Sequence, residues 1–298
     1  MRRHTDWSTS AFELRPIAEA TGPFAHRPFL EAAGAHNGEL FETDDALAVL
    51  AMVGGTVQFA GEADLTDYHT PLGTGVEGLF CDVASSGIAS AFDLDSLPIE
   101  AAEPVAKGLE RGGARVEMEQ HTVAAVLDLP DTFDDYLSNI GKKQRHEVRR
   151  KHRRYEESVG ELIYETHSEP CQALEEFFRL HRMSGGAKGT FMTEDHERFF
   201  RRLIEQPGWR IDVLRIPGEQ RAAAGLFLFV DEVGMYLYNS AYDPGLSEAS
   251  PGVAIIGAAI ERAIGENLEK FDFLKGDEVY KFRLGAEERP LYRVRVTP

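Results

Sequence analysis

The sequence has little cysteine and no long apolar run. Its 298 residues include two cysteines, Cys81 and Cys171, which lie far apart along the chain. The sequence therefore predicts no disulfide framework and favours a reducing compartment, the cytoplasm. No apolar stretch approaches the roughly 20 residues that cross a bilayer, and the opening MRRHTDWSTSAFELRP lacks the apolar segment of a secretion signal. We expect a cytoplasmic protein without a membrane partner.

Basic residues are outnumbered by acidic ones. The chain has 32 Lys and Arg residues against 50 Asp and Glu, which gives a net charge of -18. A chain with this charge repels the phosphates of nucleic acids except at a local basic patch. The composition therefore disfavours a large nucleic-acid footprint.

Metal-binding and nucleotide-binding motifs are also missing. His181 and His196 are fifteen residues apart and have no third ligand at helical spacing, so we expect no metal site. No Gly-rich phosphate-binding fingerprint stands between a predicted strand and a predicted helix.

Core-forming side chains, by contrast, are plentiful: 43% of the residues are hydrophobic and 10% are aromatic. The first segment reads as mixed α/β, with a hairpin over 45–53 and 56–60 and a helix over 101–111. From residue 161 the pattern predicts a strand, two helices, three strands, a helix and two strands. Their expected ranges are 162–166, 171–183, 195–205, 210–216, 221–230, 234–241, 251–267, 271–274 and 291–296. The predicted fold class is therefore α/β.

One predicted helix is strongly basic. Eight of the thirteen residues from Lys142 to Arg154 are Lys or Arg, and Arg145, Arg149 and Arg153 recur at a spacing of four, which aligns them along one side of a helix. Three interpretations stay open. The helix is a solvated charged surface, a clamp for a polyphosphate ligand or sugar nucleotide, or an RNA-binding strip. In the second, Arg145 and Arg149 bind the substrate.

The segment that joins the strand ending at residue 241 to the next helix is a candidate anion site. Ser250 is a suitable N-cap and Pro251 a suitable first helical residue. Such a start leaves the amides of Gly252 and Val253 directed out of the positive end of the helix, where a phosphate can bind. Plain helix capping is the alternative.

The stretch FDFLKGDEVYKFRLG, residues 271–285, concentrates polar side chains after a short apolar strand. Asp277 follows Gly276 in the turn and is the candidate base. Tyr280, Lys281 and Arg283 come next, and an Arg side chain can clamp a carboxylate or phosphate. The alternative is that these residues are surface side chains whose positive charges balance the negative charges of Asp277 and Glu278.

The sequence over residues 271–285 resembles the corresponding segment of GNAT acyltransferases. Tyr280 stands five residues before Gly285, and GNAT enzymes have a tyrosine after their fifth strand. The run Asp-Phe-Leu-x-Gly-Asp-Glu-x-Tyr-Lys is similar to the GNAT-like branch associated with cellulose and exopolysaccharide biosynthesis, which is related to the Fem-type peptidoglycan aminoacyltransferases. The resemblance implies two GNAT-like lobes with mostly antiparallel sheets flanked by helices. A degenerate lobe is expected over 1–130, a basic connecting helix over 131–160 and an acyltransferase lobe over 161–298.

The same resemblance implies roles for the candidate residues. The tyrosine at the position of Tyr280 commonly protonates the departing thiolate, and Lys281 could then hold a developing negative charge. Tyr238 and Asn239 lie on the strand that borders the cofactor, and Ser250, Gly252 and Val253 stand where the CoA pyrophosphate binds. The chain departs from the Gln/Arg-x-x-Gly-x-Gly/Ala loop at this place, and it has Arg283 where Fem-type enzymes have a lysine.

The resemblance therefore implies transfer of an acyl group from acetyl-CoA or another acyl-CoA to an amine or hydroxyl of a small or sugar-type acceptor. Two alternatives stay open. One is a Fem-type aminoacyltransferase that uses aminoacyl-tRNA. The other is a non-catalytic binding module of a polysaccharide-biosynthesis system.

Overall fold

The computed structural model describes residues 1–297, apart from the side chains of residues 187 and 188, so the predicted lobe over 161–298 ends one residue outside the described part of the chain. The chain divides into two compact units. The first comprises Met1–Ala124, Lys275–Asp277 and Glu288–Pro298, and the second comprises Ala125–Leu274 and Glu278–Glu287. The boundaries expected at residues 130 and 160 stay a prediction.

The first unit is a mostly antiparallel sheet with helices packed on it. Its strands are β1 Arg2–His4, β2 Glu39–Glu42, β3 Ala46–Val53, β4 Thr56–Phe59, β5 Leu72–Gly73, β6 Ala91–Pro98, the part of β7 (Val116–Asp128) up to Ala124, and nearly all of β13 (Glu287–Val296). The helices are α1 Arg27–Ala32, α2 Val76–Ser85 and α3 Ile99–Arg111. Strands β1, β2, β3, β4, β6 and β13 lie in this order, and β4 pairs with β6 in parallel.

The core of the first unit lies between the sheet and helices α2 and α3. Buried and partly exposed residues alternate along most of β6, so one face of this strand is the more buried, whereas β3 is buried on both faces over 46–50. Phe92 and Leu94 of β6 pack with Val294 and Val296 of β13 in this core. The predicted hairpin is present, since β3 and β4 pair from Leu50–Phe59 to Val53–Thr56.

The second unit carries a sheet in the order β12, β11, β10, β9, β8, with antiparallel pairs throughout except for the parallel pair β11–β12. Its strands are β8 Ile163–His167, β9 Trp209–Arg215, β10 Ala222–Val230, β11 Gly234–Tyr242 and β12 Lys270–Lys275. Its helices are α4 Phe133–Asn139, α5 Lys142–Ser158, α6 Gln172–Met183, α7 Gly186–Phe191, α8 Glu194–Ile204, α9 Pro251–Gly265 and α10 Val279–Arg283.

Helices cover both faces of this second sheet. Leu226 and Leu228 of β10 point to one face and pack in the core that includes α9 and α5. Phe227, between them, points to the other face and contacts Phe177 of α6 and Phe200 of α8. The predicted fold class is confirmed: the protein is mixed α/β, with mostly antiparallel sheets flanked by helices.

Two elements differ from the sequence prediction. Helix α7 lies between the helices predicted over 171–183 and 195–205, where no element was predicted. The last strand, expected to close the sheet of the last segment, pairs with β6 of the first unit, from Leu291–Pro98 to Val296–Phe92. Its buried residues Val294 and Val296 complete the core under α2 and α3, and this long-range packing decides the pairing. No helix among residues 1–297 combines the length and apolarity needed to span a membrane.

Candidate active site

Strands β11 and β12 separate part of the way along their length. They pair at Gly234–Lys270, Met235–Phe271 and Tyr236–Asp272, and the register ends there. Beyond this point β11 bulges, since Phe227 of β10 pairs with Asn239 while Leu228 pairs with Leu237, which leaves Tyr238 as the extra residue. A bulge bends its strand and interrupts the ladder. The bulge of β11 therefore lies just beyond the residues at which β11 pairs with β12.

The side chains of Tyr238 and Asn239, predicted to bind the cofactor, have structural contacts. The Tyr238 ring packs with Phe199, Phe200 and Trp209, with centroids 5.4–6.1 Å apart. The amide oxygen of Asn239 accepts a hydrogen bond from the Ser240 backbone N–H at 2.8 Å. Both side chains therefore support the bulge, and a cofactor role for these residues stays a prediction.

Helix α9 begins close to the end of β11. Ser250 has a left-handed backbone with φ of 57° and makes no side-chain cap hydrogen bond. Its carbonyl oxygen accepts hydrogen bonds from the amides of Val253 at 3.1 Å and Ala254 at 3.2 Å. The Val253 amide is thus used inside the first turn. Among the described residues, no backbone hydrogen bond from the Gly252 amide, at the second helical position, is present, as is usual in the first turn of a helix.

The lack of a side chain at Gly252 lets the Tyr242 ring come close to the start of α9. A Cβ atom at this position would lie 3.2 Å from Cδ1 of Tyr242, whose ring is largely exposed. The Tyr242 ring therefore packs directly against the backbone of Gly252.

The end of β12 turns with an unusual backbone geometry. Leu274 has a left-handed φ of 60°, which is rare for a residue with a side chain. The carboxylate of Asp272 accepts a hydrogen bond from the Leu274 N–H at 2.7 Å, and the Lys281 ammonium donates to the Leu274 carbonyl at 3.2 Å. Two buried side chains therefore hold this turn from both sides.

Lys281 itself is 3% exposed. Its Nζ also lies 2.9 Å from a carboxylate oxygen of Glu278. An ammonium enclosed in this way is positioned to hold the turn that precedes α10. Catalysis by Lys281 stays a prediction, and the geometry favours a positioning role.

Tyr280, the next candidate, lines a pocket of about 310 Å³ in the second unit. Burial, followed by the negative charge of Glu278, raises the pKa of Tyr280 to about 12. Its ring meets the edge of Phe273 at 6.2 Å between centroids. Tyr280 is therefore a neutral phenol at physiological pH whose side chain is held by the core at the wall of a pocket.

The same pocket is basic. Its lining comprises Lys143, Gln144, Glu147, Val148, Lys151, Val253, Tyr280, Arg283 and Leu284. Glu147, the one acidic residue of that lining, is paired with Arg150 through bonds of 2.7 and 2.9 Å, which hold the pKa of Glu147 below its ordinary value. Lys151 also lies 3.7 Å from the Glu147 carboxylate, and with Lys143 and Arg283 it leaves the lining with a net positive charge. The pocket fits an anion.

The predicted residues separate into two groups. Tyr280, Arg283 and Val253 come together in the pocket. Arg145 instead donates to the Leu137 carbonyl at 3.3 Å, and Arg149 is exposed outside the pocket lining. Asp277 is exposed and belongs to the first unit.

The face of α5 that lines the pocket was not among the predicted features. Lys143, Glu147 and Lys151 are four residues apart, so they share one side of the helix. That side is set by the helix's two buried apolar residues, Val148 and Tyr155. Their spacing of seven residues was the signal that could have oriented the helix.

A sequence-family comparison matches residues 142–282 to a model described as an acetyltransferase (GNAT) domain. The match covers slightly less than half of the chain and includes most of the pocket. A comparison with the curated proteins gave no match.

Solved structures resemble the chain over nearly its whole length. FemX superposes with a TM-score of 0.63 at 10% identity, covering 98% of this chain and 97% of FemX. The C-terminal domain of a lysylphosphatidylglycerol synthetase from Agrobacterium fabrum superposes with a TM-score of 0.58 at 11% identity, covering 91% and 86% of the two chains. L-PGS from Bacillus licheniformis gives 0.58 at 14% identity, with 89% of each chain covered.

These likenesses establish the fold. Residues 142–282 match the GNAT domain model, and the whole chain resembles FemX and the synthetase domains in architecture. The identities of 10–14% carry no statement about substrates. None of these comparisons bears on the polysaccharide-associated branch.

Proposed function

We propose that the protein is an acyltransferase that moves an acyl group from acetyl-CoA or another acyl-CoA to an amine or hydroxyl of a small or sugar-type acceptor, in the cytoplasm. The observation that carries the proposal is the basic pocket with the Tyr280 phenol in its wall, next to the start of α9. It lies in the segment that matches the GNAT domain model. A sugar-type acceptor is the choice that agrees with the polysaccharide-associated resemblance.

The positive charges of the pocket suit acyl-CoA, the proposed acyl donor. CoA carries a pyrophosphate and a further phosphate, and phosphates bind to Lys and Arg side chains and to helix N-termini. Lys143 and Lys151 of α5 and Arg283 of α10 line the same pocket as Val253 of α9. The amide of Gly252 adds a backbone donor at the positive end of α9.

Tyr280 supplies the leaving-group chemistry. When the acceptor attacks the thioester, negative charge develops on the departing sulfur. A phenol with a pKa of about 12 keeps its proton at neutral pH and can donate a hydrogen bond to that sulfur. Because the phenol is a weaker acid than an ordinary thiol, whose pKa is about 8.5, stabilisation of the thiolate by this hydrogen bond is the main contribution.

A Fem-type aminoacyl transfer is the second candidate. It is supported by the likeness to FemX over nearly the full length of both chains. Exposed basic residues of α5 outside the pocket, such as Arg149, Arg153 and Arg154, offer contacts for a nucleic-acid backbone.

Turnover and ligand-induced stabilisation separate the candidates. We expect free CoA to raise the melting temperature, since a ligand at a hundred times its dissociation constant adds ~2.7 kcal/mol to the unfolding free energy. We also expect release of free CoA from acetyl-CoA in the presence of amino sugars and simple amines. Absence of both effects, together with binding of aminoacyl-tRNA, would replace the first proposal with the second.

The double variant Lys143→Gln, Lys151→Gln should raise the KM for acyl-CoA roughly tenfold and leave kcat within about twofold, because these partly exposed cations contribute uniform ground-state binding. The rise should shrink at high salt. The matched control is Arg149→Gln, Arg153→Gln, which removes the same charge from exposed positions of α5 that lie outside the pocket lining. Equal changes in KM for both double variants would contradict a specific anion site.

A further inference from the structure

Helix α5 has a face of exposed cations that have no acidic partner in the described part of the chain. These cations are exposed and form no ion pair or hydrogen bond with any described residue: Lys142, Lys143, Arg149, Arg153 and Arg154. The other arginines of the helix are engaged, since Arg145 donates to the Leu137 carbonyl and Arg150 pairs with Glu147. We call the five free side chains the cationic face of α5.

Most arginines elsewhere in the second unit pair with carboxylates. They are Arg179, Arg182, Arg198, Arg201, Arg210, Arg215, Arg221 and Arg262. Outside residues 142–154 the chain has 24 Lys and Arg residues against 49 Asp and Glu. Acidic side chains are therefore abundant, yet no described carboxylate pairs with the cationic face of α5. Such uncompensated charge indicates an acidic partner from outside the chain.

The cationic face is longer than a small ligand needs. At a rise of about 1.5 Å per residue, Lys142 and Arg154 are about 18 Å apart along the helix axis. Arg149 and Arg153 are about 6 Å apart, which is also the spacing of acidic side chains four residues apart on a facing helix. Both arginines lie outside the lining of the basic pocket, so a molecule seated only in the pocket leaves them uncovered. The partner that covers them is therefore a macromolecule.

The cationic face adjoins the pocket. Lys143 belongs to both, since it is exposed and lines the pocket, and Lys151 lies farther along the pocket side of the same helix. Under the proposed function this pocket receives the thioester, because the Tyr280 phenol in its wall donates to the departing sulfur. A macromolecule that covers the neighbouring face is therefore in a position to carry that thioester. Acyl groups are held as thioesters by CoA and, on the same phosphopantetheine arm, by small carrier proteins.

We propose that the cationic face of α5 docks the acidic surface of a small carrier protein that presents the acyl group as a thioester on a phosphopantetheine arm. The inference rests on the proposed acyl transfer and adds a donor to it. The acceptor's nitrogen or oxygen bonds to the acyl carbon and gives its proton to water, and the carbon–sulfur bond breaks with its electron pair leaving on sulfur. The thiolate takes up a proton, and the carrier protein leaves with a free thiol.

A small acidic protein fits this face better than a nucleic acid does. A folded RNA extends well beyond one helix, and outside 142–154 it would meet the excess of Asp and Glu. A carrier protein that contacts α5 through one acidic helix of its own places its charges within reach of the cationic face. Charges more than about 8 Å away are screened at physiological ionic strength, so the acidic remainder of the chain opposes this smaller contact less.

Charge reversal of Arg149 and Arg153 tests the docking. The probe is an acidic acyl carrier protein whose phosphopantetheine thiol is acetylated, and acetyl-CoA is the comparison donor. We expect the parent to transfer the acetyl group from both. The double variant Arg149→Glu, Arg153→Glu should lower kcat/KM for the carrier-bound donor at least about tenfold more than kcat/KM for acetyl-CoA, mainly through KM. Added salt should weaken the parent's use of the carrier in the same direction.

The matched control is Arg198→Glu, Arg202→Glu. These exposed residues of α8 have the same spacing of four, and their reversal changes the net charge by the same amount. Helix α8 packs on the face of the sheet that carries Phe227, whereas α5 packs on the other face. We expect this control to keep the parent's ratio of the two kcat/KM values. An equal fall of that ratio in both double variants overturns the proposal, because the effect would then come from the overall charge.

Binding gives a readout that does not depend on turnover. Fluorescence anisotropy of the labelled carrier protein should show binding to the parent that weakens with salt, and this holds even where a variant fails to fold. If the parent transfers acetyl from acetyl-CoA but neither binds nor uses the carrier, the docking proposal alone fails. If the parent binds the carrier through Arg149 and Arg153 but releases a thiol from neither donor, the proposed function fails and the docking stands. Binding of tRNA but not of the carrier through the same two residues overturns the proposal in favour of a nucleic-acid partner.

Discussion

Tyr280→Phe should fold like the parent and lose roughly 10²–10³-fold in kcat for acyl transfer, the effect of removing one hydrogen-bond donor from a developing negative charge. The substitution keeps the ring that packs against Phe273 and removes only the hydroxyl. No hydrogen bond from that hydroxyl to another described residue is present, so its loss leaves no partner unsatisfied. The KM for acyl-CoA should change little, because the contribution arises in the transition state.

The control is Tyr242→Phe. Tyr242 is 42% exposed, lies against Gly252 and is not part of the pocket lining, so loss of its hydroxyl should leave kcat unchanged. Steady-state kinetics of CoA release, with circular dichroism and melting curves for each variant, give the comparison. An unchanged kcat in Tyr280→Phe would remove Tyr280 from the mechanism and leave Arg283 as the polar residue of α10 in the pocket.

Local sequence patterns predicted much of the second unit. The long apolar run over 221–230 predicted β10, the alternation of side chains over 234–241 predicted β11, and Ser-Pro-Gly at 250–252 predicted the start of α9. These features depend on residues only a few positions apart, so the local sequence pattern is enough to predict them. The placement of Tyr280 and Arg283 in one pocket was predictable for a similar reason, since they stand three positions apart on a short helix.

Features that depend on distant residues were not predictable. The basic residues of α5 could not be assigned to a face of the helix from their own spacing, because every side of it carries a cation. The packing of α5 on α9 determines which face of α5 is exposed. A Cβ on Gly257 of α9 would lie 2.6 Å from Nε2 of His152, so the two helices are in close contact at His152. Lys143 and Lys151 then face the pocket while Arg149 faces solvent.

The partner of the last strand was unpredictable for the same reason. Residues 291–296 have the composition of a strand, but nothing local to them specifies which edge they join. Pairing with β6 places Val294 and Val296 in the core under α2 and α3, about two hundred residues away along the chain. Likewise, the sequence could not show that Lys281 is enclosed, since its main-chain partner is Leu274 in a strained turn.

The burial of Lys281 leads to a second prediction with a large expected effect, a loss of stability on substitution. Lys281→Met should lower the free energy of unfolding by about 2–4 kcal/mol, because it removes a charged hydrogen bond and leaves the buried Leu274 carbonyl unpaired. Methionine has a similar length and apolar stem, so the lost stability reports mainly on the ammonium. Denaturant titration of the parent and the variant measures the difference.

Arg283→Gln is the matched comparison for Lys281→Met, because it removes a neighbouring cation that is exposed in the pocket. We expect Arg283→Gln to leave the stability nearly unchanged and to raise the KM for acyl-CoA. Lys281→Met should instead lower the stability, and its activity should fall only because the turn before α10 becomes less ordered. Suppressing that loosening should therefore restore the activity of Lys281→Met, and assays at low temperature or with stabilising cosolutes provide the test. A Lys281→Met variant that is as stable as the parent but inactive would instead establish the ammonium as part of the chemistry, as the sequence had suggested.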